Sequence, residues 1–261
     1  SGAAYATYNA IWVKESGPDW YARHDLTAEQ YQQEVDTGKR KGYQPVMVDA
    51  FNVGSEVFFA AMFEKSSTPW EARHGLTGTQ YQTEVDEWVG KGYRIRHVSG
   101  YEIRNQAYYA AVFDKSKSPE WEARHGLTKE GYQDEFDNLI ANSYVPVVID
   151  GYFVGGVEYF AAVWHKADTR YIARHRINGS ADYQKAANDF YYEGYRPVAV
   201  DGYSTGENVF FATSWKNTNW KLSELDKLND LVNNFITTGG ILLYLWRSSK
   251  TRSFSTPKPL V

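Results

Sequence analysis

Apolar positions recur along this chain in blocks of one kind. Tyr31 and Val35 stand four apart, and the spacing returns at Tyr81 with Val85 and Trp88, at Tyr132 with Phe136, Leu139 and Ile140, and at Tyr183 with Ala187 and Phe190. Steps of four and of seven to eight put these side chains on one face of an amphipathic helix. Thr27 with Gln30, and Thr77 with Gln80, open two of the blocks as capping boxes; Thr128 keeps the hydroxyl, but Gly131 removes the reciprocal half. Gly42, Gly92 and Gly194 close three of the helices where a left-handed residue is wanted, and Ser143 holds that place in the other.

Two strand-like runs follow each helix. The first is Tyr43–Asp49, matched by Tyr144–Asp150 and Tyr195–Asp201; the second is Val57–Phe63, matched by Tyr108–Phe113, Glu158–Trp164 and Val209–Trp215. Gly- and Asn-rich links such as Asn52-Val-Gly54 and Phe153-Val-Gly-Gly156 join them as hairpins. The second run is apolar on both faces and is expected inside a sheet covered on two sides. Pro45, Pro146 and Pro197 lack an amide donor and belong at a strand start or an unpaired edge.

The blocks are copies of one unit. Trp70-Glu-Ala-Arg-His-Gly-Leu-Thr77 returns as Trp121 to Thr128, with a near copy from Trp20 to Thr27 and a looser one from Tyr171 to Ile177. The leading aromatics, with Trp220 as a fifth, are 49 to 51 residues apart. A unit of loop, helix, strand and strand cannot bury its apolar faces alone, and stacking neighbours solves this. The expectation is therefore an α+β fold of tandem repeats of about 50 residues, each one helix plus a β-hairpin, stacked as a superhelix or ring. The repeat domain covers residues 1–220, as a leading strand in 1–19 and repeats 20–69, 70–120, 121–170 and 171–219. The leading strand aligns Tyr8-Asn-Ala-Ile-Trp-Val-Lys14 with Tyr109-Ala-Ala-Val-Phe-Asp-Lys115, the last strand of a unit whose front half is missing. Separated from its hairpin mate, it has the form of a closing strap. After Trp220 the pattern breaks into one capped amphipathic helix, Ser223 to Ile236, and then a Ser-, Lys- and Pro-rich tail.

Composition narrows the function classes. A net charge of −4 and the lack of long Lys or Arg runs argue against a nucleic-acid partner. Zero cysteines exclude disulfides, Cys-ligated zinc and thiol chemistry. No stretch is long and apolar enough to span a membrane, and no signal peptide heads the sequence. The 16% aromatic share, mostly Tyr, fits a binding surface and an aromatic-rich core equally well.

The repeated Trp-x-Ala-Arg-His-Gly-Leu-Thr, Tyr-Gln, Gly-Tyr-x-Pro and Asp-Gly-Tyr pattern resembles the tandem-repeat domain of secreted β-lactamase-related serine hydrolases, the polyglycine hydrolase-like proteins. The likeness runs to about residue 220. Residues 221–240 are similar to the first helix of the β-lactamase-like domain that follows in such proteins, and the match stops at Ile241. Codons can be chosen for residues 241–261 whose neighbouring frame spells an approximation of the expected next strands, so this tail reads as frame-shifted or mis-spliced, or else as disordered. The resemblance implies an extracellular setting. It also implies a nucleophile in Ser-x-x-Lys, and the one match, Ser255-Thr-Pro-Lys258, lies in the unpatterned tail and is not taken as catalytic. The chain is thus expected to be a non-catalytic module that binds or positions a protein or peptide substrate for a serine hydrolase domain absent from this chain. The alternative is a free-standing lectin-like carbohydrate binder. No cofactor or metal is called for.

Two residue sets carry the remaining chemistry. The aromatics Phe51, Tyr101, Tyr152 and Tyr203 stand beside the hairpin links, where a sugar or peptide could stack on them. Trp20, Arg23, His24, Trp70, Arg73, His74, Trp121, Arg124, His125, Arg174 and His175 recur once per unit and read as joints between units. Asp49, Asp150 and Asp201, with Ser99 in the second unit, read as turn residues bonded to their own backbone. Asn178-Gly-Ser180 is the one glycosylation sequon.

Overall fold

A computed structural model describes residues 6, 8–12, 14, 16–167, 171–204 and 208–218. The helix expected after Trp220, the tail from Ile241 and the Ser255-Thr-Pro-Lys258 match lie outside the described residues.

The helices form where the pattern places them: α1 (Ala28–Lys41), α2 (Gly78–Gly90), α3 (Lys129–Ala141) and α4 (Gly179–Tyr192). Thr27 and Thr77 make complete capping boxes with Gln30 and Gln80, Thr128 caps through its hydroxyl alone, and Asn178 makes no side-chain cap bond. Gly42, Gly92 and Gly194 all have positive φ, and so does Ser143, the L-residue in the same place. Tyr31, Tyr81 and Tyr132 are buried under their helices, whereas Ile140, expected on that face, is exposed.

Each unit carries three strands rather than two. The strands are β1 (Trp20–Leu26), β2 (Tyr43–Val53) and β3 (Glu56–Lys65) in the first unit; β4 (Trp70–Thr77), β5 (Arg94–Ile103) and β6 (Gln106–Asp114) in the second; β7 (Trp121–Thr128), β8 (Tyr144–Val154) and β9 (Val157–Lys166) in the third; and β10 (Tyr171–Asn178), β11 (Tyr195–Ser204) and β12 (Val209–Asn217) in the fourth. The Trp-x-Ala-Arg-His run, expected as a connecting loop, is itself the first strand. It pairs antiparallel with the last strand of its unit, as Trp70 opposite Asp114 and Arg73 opposite Ala111. The sheet orders are β1-β3-β2, β4-β6-β5, β7-β9-β8 and β10-β12-β11, so the apolar hairpin strand is central. Pro45, Pro146 and Pro197 fall on edge strands beside a register shift, where a missing amide donor is tolerated. The hairpin turns of the first three units have two residues, and Gly155 with Gly156 both at positive φ suit a type I′ turn.

The units stack through shared cores. One apolar cluster joins Tyr31, Val48, Phe59 and Phe63 of the first unit to Tyr101, Ala110 and Val112 of the second. A second joins Tyr81, Tyr109 and Phe113 to Val148, Tyr152 and Val163 of the third, and another joins Tyr132, Phe160 and Trp164 to Tyr203 and Ala212 of the fourth. Each core is completed by residues of the next unit, so a single unit would leave its sheet face in water. The hairpin strands β2, β5, β8 and β11 lie against one another in turn. Among the described residues no helix is long and apolar enough to cross a membrane.

Candidate functional site

The repeated Arg-His pair divides its work between a unit and its predecessor. Arg23, Arg73 and Arg124 reach back to their own helices and pair with Glu34, Glu84 and Glu135 at 3.5, 3.2 and 3.4 Å. Each also donates to the carbonyl of the alanine before it, as does Arg174. That carbonyl faces away from the sheet, and covering it blunts an edge strand. The histidines point to the preceding unit. His74 packs edge-on against Tyr31 and Phe59, His125 against Tyr81 and Tyr109, and His175 against Tyr132 and Phe160. Burial holds all three below the usual histidine value. The leading aromatics differ: Trp20 is 41% exposed, Trp121 half-buried and Trp70 buried.

Three of the four aromatics expected at the hairpin links are buried between sheets. Tyr101 is edge-on to Phe59 of the first unit, and its hydroxyl accepts from the Gly75 amide at 2.9 Å. Tyr152 shares a 2.7 Å hydrogen bond with Tyr109, and Tyr203 donates to Glu158 at 3.0 Å, again across a joint. These rings have no free face for a sugar. Phe51 is half-buried, with Tyr8 against it edge-on.

The carboxylates sit mid-strand, not in turns: Asp49 is opposite Ala60, Asp150 opposite Ala161 and Asp201 opposite Ala212. Their partners lie in the neighbouring unit, and Asp201 also bonds the backbone amide of Gly202 beside it. Gly100 donates its amide to Asp150 at 2.7 Å, Gly151 donates to Asp201 at 2.6 Å, and Ala50 donates to Ser99 Oγ at 3.0 Å. Ser99 donates on to Asp49 at 3.4 Å. One step is therefore repeated from unit to unit, and it brings oxygens of Asp49, Asp150 and Asp201 within 4.8 Å of one another. Burial raises all three carboxyls, Asp49 to about 6, and neighbouring aspartates raise Asp150 and Asp201 further. Three such oxygens could receive a hard cation, though calcium takes six to eight ligands. Protonated, the same groups are satisfied as hydrogen-bonding partners of the neighbouring strands.

Clefts open where units join. One of about 330 Å³ lies between Lys39 on α1 and Trp70 and Glu71 on β4; another of about 290 Å³ lies between Val85 and Val89 on α2 and residues Trp121 to His125 of β7. Sequence patterns did not mark these, because a cleft between a helix and the next unit's edge strand depends on how units stack. Asn178 is exposed at the start of α4.

No curated protein matches the chain. The model of the polyglycine hydrolase-like structural repeat matches four times in tandem, over residues 17–66, 67–116, 118–167 and 169–218. Each match begins just ahead of a Trp-x-Ala-Arg-His strand and closes just after the central strand that pairs with it, so the sequence unit and the three-stranded unit coincide. The chain belongs to the polyglycine hydrolase-like structural-repeat family.

Proposed function

We propose that this repeat array is a non-catalytic module that holds an extended protein or peptide substrate for a serine hydrolase domain, and that it closes into a ring. The binding role is supported by the clefts between units, each with an edge strand on one side and a helix on the other. An edge strand offers backbone amides to any extended chain, whatever its side chains, which suits a glycine-rich partner. Titratable groups are spread in equivalent positions over the copies, the opposite of one asymmetric catalytic constellation. The reading places the module outside the cell, where Asn178 would be open to glycosylation.

Among the described residues ahead of Trp20 the expected leading strand is reduced to a single bridge at Ile11, and closure rests on this segment. Tyr8 packs on His24 and Phe51 as Phe59 packs on His74 and Tyr101, so it stands in for the central strand of a preceding unit. Its hydroxyl also bonds Asp25. Asn9, next to it, lies against Gly202 of the fourth unit. One short segment thus touches both ends of the array. The binding role is tested by biolayer interferometry with an immobilised glycine-rich linker peptide beside a glycan panel. Binding to the peptide is expected; binding confined to glycans overturns the reading in favour of a lectin.

A further inference from the structure

The first two joints differ at the position of Lys39. Lys39 at the end of α1 places its ammonium 3.1 Å from Glu71 Oε1 and 5.4 Å from the centre of the Trp70 ring. Glu71 Oε2 meanwhile pairs with Arg73 at 3.1 Å. In the next joint Trp121 and Glu122 repeat the tryptophan and the carboxylate, and Glu122 Oε2 pairs with Arg124 at 2.9 Å. The residue equivalent to Lys39 is Val89, which is 39% exposed in the cleft. Among the described residues no cation reaches Glu122 Oε1 or the Trp121 ring. Trp70, under its lysine, is 8% exposed, while Trp121 is half-buried. The third joint has Ile172 where the carboxylate would be and cannot repeat the arrangement.

We propose that the α2–β7 cleft is a binding site for an extended peptide carrying a lysine or arginine, whose cationic group takes at Trp121 and Glu122 the place that Lys39 takes at Trp70 and Glu71. The backbone has a seat as well. Lys166 donates to the Glu120 carbonyl at 2.8 Å, which fixes the alternation along β7 and turns the amide groups of Trp121 and Ala123 to the free edge. The Ala123 carbonyl is covered by Arg124 at 2.8 Å, leaving the Ala123 N–H to donate and the Trp121 carbonyl to accept. An added strand there is bounded by Val85 and Val89, which favours small or apolar neighbours to the cation. This site deepens the peptide-binding reading and rests on it.

The test is an NMR titration of the 261-residue chain with a blocked glycine-rich nonapeptide bearing one central lysine, and with its norleucine counterpart. The Trp121 indole N–H resonance, assigned with Trp121→Phe, is expected to shift, and the norleucine peptide to bind about five- to tenfold more weakly. Val89→Lys supplies an internal occupant and is expected to erase the preference for lysine. Lys39→Val opens the first joint, and the Trp70 indole is then expected to respond too. Both substitutions install a residue the other joint already carries, so the fold tolerates them. Equal binding of the two peptides, or a lysine preference that survives Val89→Lys, overturns the site while leaving the peptide-binding reading intact. Binding of neither peptide overturns both.

Discussion

Replacing Asp49 by asparagine is expected to stabilise the protein at neutral pH and leave it unchanged near pH 4. Asp49 is held at about 6 against an ordinary 3.8, chiefly by burial, which the Ser99 hydroxyl only partly offsets. A carboxyl raised in the folded state makes its full contribution below the unfolded value and loses it as pH rises through the folded one. Above pH 7 both states are ionised, and the folded state carries a buried charge beside Asp150 and Asp201. The difference of about two units corresponds to roughly 3 kcal/mol, an upper bound because Asp49 is half-buried. Asparagine removes the charge and keeps an oxygen for Ser99. For a domain of this size the gain at pH 8 amounts to about 6–12 °C in melting temperature. Thermal melts of both proteins at half-unit steps from pH 4 to pH 8 give the comparison. A gap that is constant with pH, or an asparagine variant less stable throughout, refutes the reasoning. If calcium chloride at pH 8 stabilises wild type and spares Asp49→Asn, the cluster holds a cation as well.

Other expectations are equally direct. Because the chain has no cysteine, Asn9→Cys with Gly202→Cys should form an intrachain disulfide on oxidation, seen as a shifted band without reductant. A native melt with no cross-link counts against closure. A Cβ at Gly151 would lie 2.6 Å from the Tyr203 ring, so Gly151→Ala should cost about 1–3 kcal/mol in urea unfolding, and a neutral result would show that the joint has slack. Thr77→Ala removes the two bonds its hydroxyl makes with Gln80, leaving the backbone N–H bond to Gln80 Oε1, and should cost about 1 kcal/mol, whereas Thr128→Ala, with one hydroxyl bond to lose, should cost less. The rings of His74, His125 and His175, followed by NMR, should titrate below the ordinary histidine range, and the stability they contribute is lost as pH falls towards those values; a normal midpoint would mean that the joints admit water.

Local features were legible in the sequence and relations between units were not. Helix starts at Thr27 and Thr77, stops at Gly42, Gly92 and Ser143, and the apolar central strands are set within a dozen residues and could be read directly. The first strand of each unit was hidden because it is an edge. In Glu71-Ala-Arg-His-Gly75 the side chains on both faces are partly exposed, so no period of two survives. The aspartates were misread for a related reason. Asp150-Gly151-Tyr152 has turn chemistry, yet the chain continues extended to Val154, because the Asp150 carboxylate and Gly151 amide bond to neighbouring units instead of to each other. Tyr101 and Tyr152 likewise follow glycines at which the neighbouring unit's tyrosine ring fits, a complementarity visible only once the sheets face one another.

Stacking equivalent units has a physical consequence that local signals miss. Any residue at a joint is repeated, so a buried charge is multiplied by the number of copies. A carboxylate at residue 99 would bring a fourth charge to three whose oxygens already lie within 4.8 Å of one another. Serine there instead accepts from Ala50 and donates to Asp49, passing the hydrogen-bond chain on without adding charge. The same reasoning applies at the rim in the opposite sense. A lysine at every joint would occupy every such carboxylate and ring, and valine at residue 89 leaves one carboxylate oxygen and one ring without a cation. Departures from the repeat are therefore the positions at which a symmetric scaffold acquires a single, addressable site.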